Sequence, residues 1–284
     1  MFQWRNLFKG MAMGISDLIP GVSGGTLALV LGIYQQLLSA INGLFTKEWK
    51  RHSIFLIPLG LGIVSVLLTL SHLIEWLLAD YPQPTFFFFL GLIIGIIPLL
   101  LKEIHYKQTF TFSHYILIIV GAVIVGSTIF VKDQELAVVM SNLTASDFVL
   151  LFFAGWLASS AMILPGVSGS FIFLLLGVYP TVINALSTFN LPVIMTVGFG
   201  IAIGLVITSK LLSYLLSHYK TAVYALMVGF ISGSVIVIYP GILQDSFLLF
   251  VSVIAFIAGL FTAYMLSYAE RRKTASTLYV QKDC

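Results

Sequence analysis

Ile19-Pro20-Gly21-Val22-Ser23-Gly24-Gly25-Thr26 leads into Leu31-Gly32-Ile33-Tyr34, and both phrases return later in the chain. The second copy reads Leu164-Pro165-Gly166-Val167-Ser168-Gly169-Ser170-Phe171, leading into Leu176-Gly177-Val178-Tyr179. Pro165 stands 145 positions after Pro20, and Gly155 stands the same distance after Gly10. Further on, Gly60, Gly62, Gly91 and Gly95 match Gly198, Gly200, Gly229 and Gly233 at an offset of 138. The slip falls in the loop after each motif. One plan is therefore written twice.

The motif also sets the local shape. Each copy interrupts an apolar stretch, 10–41 and 155–186, that is too long for one membrane crossing and too short for two. Proline ends a helix at the residue before it, and glycine permits a sharp reversal. Each stretch is expected to be a re-entrant hairpin: a half-helix in, a break at Pro20-Gly21 or Pro165-Gly166, and a helix back out. Non-helical backbone at membrane depth survives only when buried in protein or facing water. Both breaks should therefore lie in the interior.

Composition points to the same class. Mean hydropathy is +1.06, and 9% of residues are charged, against about 25% in a soluble domain. Six further stretches, 53–78, 85–101, 114–131, 191–216, 221–239 and 247–268, are long and apolar enough to cross. The fold expected is an all-α polytopic membrane protein of two inverted repeats, each a re-entrant hairpin plus three transmembrane helices. The repeats occupy 10–135 and 147–270. Residues 1–9, with Phe2, Trp4, Arg5, Phe8 and Lys9, are expected to lie as an interfacial helix, without a removable signal peptide. Residues 271–284 form a cytoplasmic tail. Cys284 alone makes no internal disulfide.

Charge gives the orientation. With both termini cytoplasmic, Arg5, Lys9, Lys47, Lys50, Arg51, Lys102, Lys107, Lys220, Arg271, Arg272, Lys273 and Lys282 face the cytoplasm. Glu75, Asp80, Asp133, Glu135, Asp147 and Asp245 face outward, with Lys132 the lone outer cation. Such a bias is what the positive-inside rule describes. Three crossings per half then invert the second half, so the two breaks face each other near the midplane, as in many secondary transporters. Plain glycine pairs such as Gly91/Gly95 and Gly229/Gly233 are expected to be packing seams only.

A helix restarting after a break presents unpaired N–H groups and the positive end of its dipole. Ser23, Gly24, Gly25 and Thr26 hold that position in the first half, and Ser168, Gly169 and Ser170 in the second. Together they make a candidate anion site suited to phosphate. Asp17 ends the first half-helix, and its counterpart is Met162. It is a candidate for coupling to a proton or cation, or a cap for the loop N–H groups. Lys210 and His72 are equivalent positions and candidates for charge on the pathway, although Lys210 sits where a lysine can snorkel. His72 and Glu75 stand one turn apart and are able to pair. No third ligand at helical spacing suggests a metal, and no motif suggests nucleotide or nucleic-acid binding or a resident cofactor.

These paired motifs, from Gly14-Ile-Ser-Asp17 to Tyr34 and from Met162 to Tyr179, resemble the PopT-type polyprenyl-phosphate transporters, a family formerly known as a domain of unknown function. The resemblance covers nearly the whole chain. It implies a multi-pass protein of the bacterial plasma membrane that returns undecaprenyl phosphate to the inner leaflet for cell-envelope synthesis, without being an enzyme. It also points to Asp17, Pro20, Gly21, Ser23, Gly24, Gly25, Thr26, Pro165, Gly166, Ser168, Gly169 and Ser170. The residues alone reach only a transporter of an anion. A carrier of a small soluble anion, or a membrane lipid phosphatase or transferase using Asp17, remains an alternative.

Overall fold

The computed structural model describes residues 4–18, 23–44, 46–132, 139–140, 143–241 and 246–282. The break residues Pro20 and Gly21, and Asp133, Glu135 and Asp245, lie outside the described residues, as does the side chain of Glu75 that was to pair with His72. Among the described residues every regular element is a helix. The first half runs α1 (Trp4–Asp17), α2 (Gly24–Val30), α3 (Tyr34–Gly43), α4 (Trp49–Thr69), α5 (Ser71–Asp80), α6 (Pro82–Glu103), α7 (Tyr106–Thr109), α8 (Phe112–Gly126) and α9 (Ile129–Lys132). The second runs α10 (Ala145–Ile163), α11 (Gly169–Leu175), α12 (Tyr179–Ser187), α13 (Leu191–His218), α14 (Lys220–Ile238) and α15 (Ser246–Lys282). Six of these are long and apolar enough to cross a membrane: α4, α6, α10, α13, α14 and the first part of α15. The count reaches eight if the bent pairs α2–α3 and α11–α12 are each taken as one span.

Several element boundaries differ from the sequence expectation. Residues 4–9 are not a separate helix; they run without a break into α1. The first arm of the second half is not a half-helix starting near Gly155. It begins at Ala145, because Asp147 accepts from the Thr144 backbone N–H at 2.8 Å and from the Thr144 hydroxyl at 2.7 Å, closing a capping box upstream. At 1.5 Å per residue α10 is about 28 Å long, close to the bilayer core. The stretch 114–131 is split, because the hydroxyls of Ser127 and Thr128 turn back onto the carbonyls of Ile124 and Val125 at 2.9 and 2.6 Å. The stretch 53–78 is divided at Leu70 into α4 and α5.

The return arm of each motif is also not one helix. α2 and α3 meet at 119°, and α11 and α12 at 115°. Gly32 and Gly177 make these bends with φ of 62° and 68°, a conformation other residues adopt only at a cost.

Helix packing relies on glycines that admit backbone against backbone. A methyl on Gly10 would strike the Leu59 carbonyl, and one on Gly62 the Leu7 carbonyl, so α1 and α4 are in close contact. α10 and α13 repeat the seam through Gly155 against Val197 and Gly200 against Phe152. Gly91 lies on the Phe256 carbonyl and Gly229 on the Ile118 carbonyl, which makes these glycines the seams expected of them. Those last contacts cross between halves: α6 packs on α15, and α14 on α8. Ile118 and Phe256 are themselves 138 positions apart, so the crossed contacts are reciprocal, as a two-fold relation produces. Between the pairs, α6 and α14 run antiparallel. Glu103 at the end of α6 pairs with Lys220 at the start of α14 at 3.6 Å, and Phe87 meets Tyr239 at their other ends, with 6.2 Å between ring centres. Ile93, Ile96, Met227 and Ile231 fill the core around them.

Candidate functional site where the two breaks meet

The first break is closed by its own side chains. Ser23 has extended backbone and caps α2, accepting from the Thr26 N–H at 3.3 Å. Asp17, at the end of α1, accepts from the Gly24 N–H at 2.6 Å through one carboxylate oxygen. Its other oxygen is buried and has no partner among the described residues. Nearly all of α2 is buried.

The second break is stitched onto the first. The Gly166 N–H donates to the hydroxyls of Thr26 at 2.9 Å and Ser23 at 3.3 Å. The Ser23 hydroxyl lies 3.4 Å from the Leu164 carbonyl, and the Tyr34 hydroxyl donates to the Ile163 carbonyl at 3.2 Å. Gly25 lies so near Ile163 that an added Cβ would stand 2.6 Å from its carbonyl oxygen. The expected meeting of the two motifs is thus a direct contact. Thr26 and Gly25 are spent on making it and Gly24 on holding Asp17, so none of the three lines the cavity.

The equivalent residues of the second half are left open. Ser168 makes no side-chain bond to the start of α11, and none of α11 is buried. The hydroxyls of Ser168 and Ser170 sit 2.8 Å apart and face a cavity of about 230 Å³. The polar part of its lining is Asp17, Ser23, Ser159, Ser168, Gly169 and Ser170. Ala158, Met162, Phe173, Ile201 and Leu205 supply the apolar part. Two pairs of repeat-equivalent residues, Asp17 with Met162 and Ser23 with Ser168, therefore line one cavity. On the far side of Ser168 and Ser170 lies a smaller cavity of about 100 Å³, bordered by Thr128, Gly166, Val167 and Ser234.

Lys210 and His72 do not join this site. Both are exposed, on α13 and α5, and neither lines the cavity. Three features escaped the sequence reading. Ser159 belongs to the wall, and its neighbour Ser160 ties α10 to α13 through Thr208 at 2.6 Å. Lys9 donates to the Leu31 carbonyl at 3.1 Å, satisfying the end of α2 at its bend. Asn42 of α3 accepts from Ser209 at 2.6 Å and donates to Ser213 at 2.9 Å, joining the first motif to the second half. Adjacent hydroxyls in an apolar span were the available signal for Ser159; the others depend on contacts between distant elements.

Residues 13–250 match the family described as undecaprenyl phosphate translocase-like. The polyprenyl-phosphate transporter of Staphylococcus aureus is 43% identical over 265 residues, covering 91% of this chain and 94% of its own. The polyprenyl-phosphate transporter of Vibrio cholerae is 38% identical over 245 residues, covering 82% of this chain and 76% of its own. No solved structure matches the chain. With the family match spanning most of its length and both motifs, the chain belongs to the undecaprenyl phosphate translocase-like family.

Proposed function

We propose that this chain is a polyprenyl-phosphate transporter that holds the lipid's phosphate in the cavity between the two breaks while the isoprenoid tail stays in the bilayer. The observation that carries this is the single cavity lined by equivalent residues of both motifs, its wall holding both hydroxyls and apolar side chains. A charged head-group leaving water needs donors, because each unpaired polar group in the hydrocarbon region costs several kcal/mol. Ser168 and Ser170 offer hydroxyls, and Gly169 lets the start of α11 close onto the Ala158 carbonyl of α10. Hydroxyl and amide donors hold a phosphate less tightly than an arginine fork does, which keeps release possible. Ser23 and Thr26 fix the second turn by accepting from the Gly166 N–H, Gly25 gives it room, and Gly24 holds Asp17 at the cavity.

The family names support undecaprenyl phosphate as the cargo and transport rather than catalysis as the activity. We read the halves as inverted repeats, 10–135 and 147–270, with re-entrant motifs, both termini cytoplasmic and the 271–284 tail inside. The antiparallel run of the equivalent helices α6 and α14 supports inversion. The bacterial plasma membrane is where such a lipid carrier needs returning, from outer to inner leaflet. Asp17 serves as a cap, and its second oxygen offers a place for a proton or cation that moves with the phosphate. Two negative charges side by side repel strongly away from water, so such a companion favours loading.

Reconstitution in vesicles tests the proposal. Leaflet exchange of a labelled polyprenyl phosphate should exceed that of protein-free vesicles, while inorganic phosphate should not cross. Exchange no faster than in the protein-free control would end the lipid proposal, and phosphate flux without lipid exchange would favour a soluble-anion carrier.

A further inference from the structure

Contacts of the long helices are repeated from half to half: α1 on α4 by α10 on α13, and α6 on α15 by α14 on α8. Contacts of the two motifs run in one direction only. The Tyr34 hydroxyl donates to the Ile163 carbonyl at 3.2 Å, at the end of α10. At the offset of 145 the reciprocal pair is Tyr179 with Leu18, just past the end of α1, where a helix leaves its last carbonyls unpaired. That bond is not made. Tyr179 is half-buried, and its hydroxyl has no hydrogen-bond partner among the described residues, although a buried tyrosine hydroxyl normally finds one. Asn42 shows the same one-sidedness: it bonds Ser209 and Ser213 of the other half, while its counterpart Ser187 is exposed and donates to the Asn184 carbonyl of its own helix at 2.9 Å.

The apolar packing is asymmetric in the same sense. Leu27, Ile33 and Leu38 of the first motif share one core with Ile93, Leu212 and Met227. Val178, Val182 and Ala185 of the second motif pack instead with Leu151, Ala154 and Val197, all of their own half, in a separate core. The first motif is thus built into the joint between the halves, and the second is carried on α10 and α13. A body with its own core can shift against its neighbour without opening either core.

We propose that Tyr179 is the latch of a second state, in which its hydroxyl donates to the Leu18 carbonyl while Tyr34 releases Ile163. This rests on the reading of the chain as a transporter. In the present structure α2 is buried and α11 is not. Two halves of one plan and opposite orientation have a mirrored arrangement in which the motifs exchange these roles, and the exchange turns the open side of the joint toward the other leaflet. Tyr34 and Tyr179 then hold the two end states in turn with one hydrogen bond each, so neither state becomes a trap. The mirror is partial. Gly25 and Thr26 are matched by Ser170 and Phe171, so the bond from Gly166 to Thr26 has no counterpart. The tyrosine bond is a tie that both states can make, which accounts for a tyrosine closing both copies of the Leu-Gly-Ile/Val-Tyr phrase.

Tyr34→Phe and Tyr179→Phe each remove one hydroxyl and keep the ring. The full chain carrying either is compared with the unmodified protein by melting in detergent and by vesicle exchange of a labelled polyprenyl phosphate. A third measurement uses Met162→Cys on a Cys284→Ser background, since Met162 lines the cavity and is 43% exposed; a membrane-impermeant thiol reagent is applied from each side in turn. Tyr179→Phe loses no bond of the present structure. It should melt like the unmodified protein, slow exchange by about two- to tenfold, the factor that one net hydrogen bond sets on an equilibrium, and lower labelling from the less reactive side. Tyr34→Phe should melt at a lower temperature and raise labelling from that side. Labelling that shifts in the same direction in both variants, or unchanged exchange in Tyr179→Phe, would overturn the latch. A lowered melting temperature in Tyr179→Phe would assign its hydroxyl to the present fold and overturn the latch as well. Labelling needs no lipid, so absence of exchange in the unmodified protein would refute the transport proposal, while the labelling shifts still decide whether Tyr179 holds a second state.

Discussion

Ser23 and Ser168 are equivalent residues with different duties. Ser23 is buried and, with Thr26, receives the Gly166 N–H, whereas Ser168 turns its hydroxyl toward Ser170 at the cavity. Thr26→Val removes the nearer acceptor of a buried N–H, a loss worth about 1–3 kcal/mol. The variant should unfold at lower temperature in detergent, and an unchanged melting temperature would show that Ser23 alone suffices. Ser170→Ala removes a solvent-facing hydroxyl. It should melt like the unmodified protein yet slow lipid exchange by about two- to tenfold, the equivalent of a net hydrogen bond of about 0.5–1.5 kcal/mol. Asp17→Asn separates capping from charge, because the amide oxygen can still accept from Gly24. The variant should insert and melt normally but lose the pH dependence of exchange; a pH profile matching the unmodified protein would leave Asp17 as a cap only. The motif residues themselves were legible in the sequence. Which of them face the cavity was not, because Thr26 and Ser170 differ only in what the opposite half places beside them.

Glycines show the same boundary between sequence and contact at the level of the helix. Gly60 and Gly62 stand two apart in α4, yet a methyl on Gly62 meets the Leu7 carbonyl and one on Gly60 meets nothing within 4 Å. Gly62→Leu should therefore force α1 from α4 and destabilise the protein by about 1–3 kcal/mol or more, while Gly60→Leu should leave the melting temperature near its original value. Comparable melting of the two variants would contradict the α1–α4 seam. The spans were legible because about 20 apolar residues in a row have few other uses. Their ends were not: the Thr144–Asp147 box lengthens α10, and the hydroxyls at Ser127 and Thr128 shorten α8. The bends at Gly32 and Gly177 were in view as part of the repeated Leu-Gly-Ile/Val-Tyr phrase, but a positive φ is a property of the turn and not of the glycine alone.

Exchange of partners between the halves gives the whole molecule its form. Each half would leave an apolar helix uncovered, and α6 with α15 and α14 with α8 cover each other across the pair. The repeat was legible from spacing, but the exchange was not, since an offset of 138 says which residues are equivalent and nothing about which half they touch. An inverted arrangement has a consequence at the ends of the helices. Glu48 precedes α4 and Asn190 precedes α13, at matching places in the two halves, and both are exposed. On the orientation proposed from the positive-inside rule, the cluster Lys47, Lys50 and Arg51 puts the first site in the cytoplasm. The pairing of Glu103 with Lys220 puts the far end of α13 on the same side as the far end of α6. Asn190, one span of α13 away from Lys220, must then lie outside. Introduced singly, Glu48→Cys and Thr274→Cys should react with a membrane-impermeant thiol reagent only after the cytoplasmic face is opened, and Asn190→Cys should react in intact cells. Cys284→Ser provides the unreactive background for all three. Labelling of the Glu48 and Asn190 variants from one and the same side would mean that the halves are parallel, and the head-group site would then lack the opposed approach from two leaflets on which transport depends.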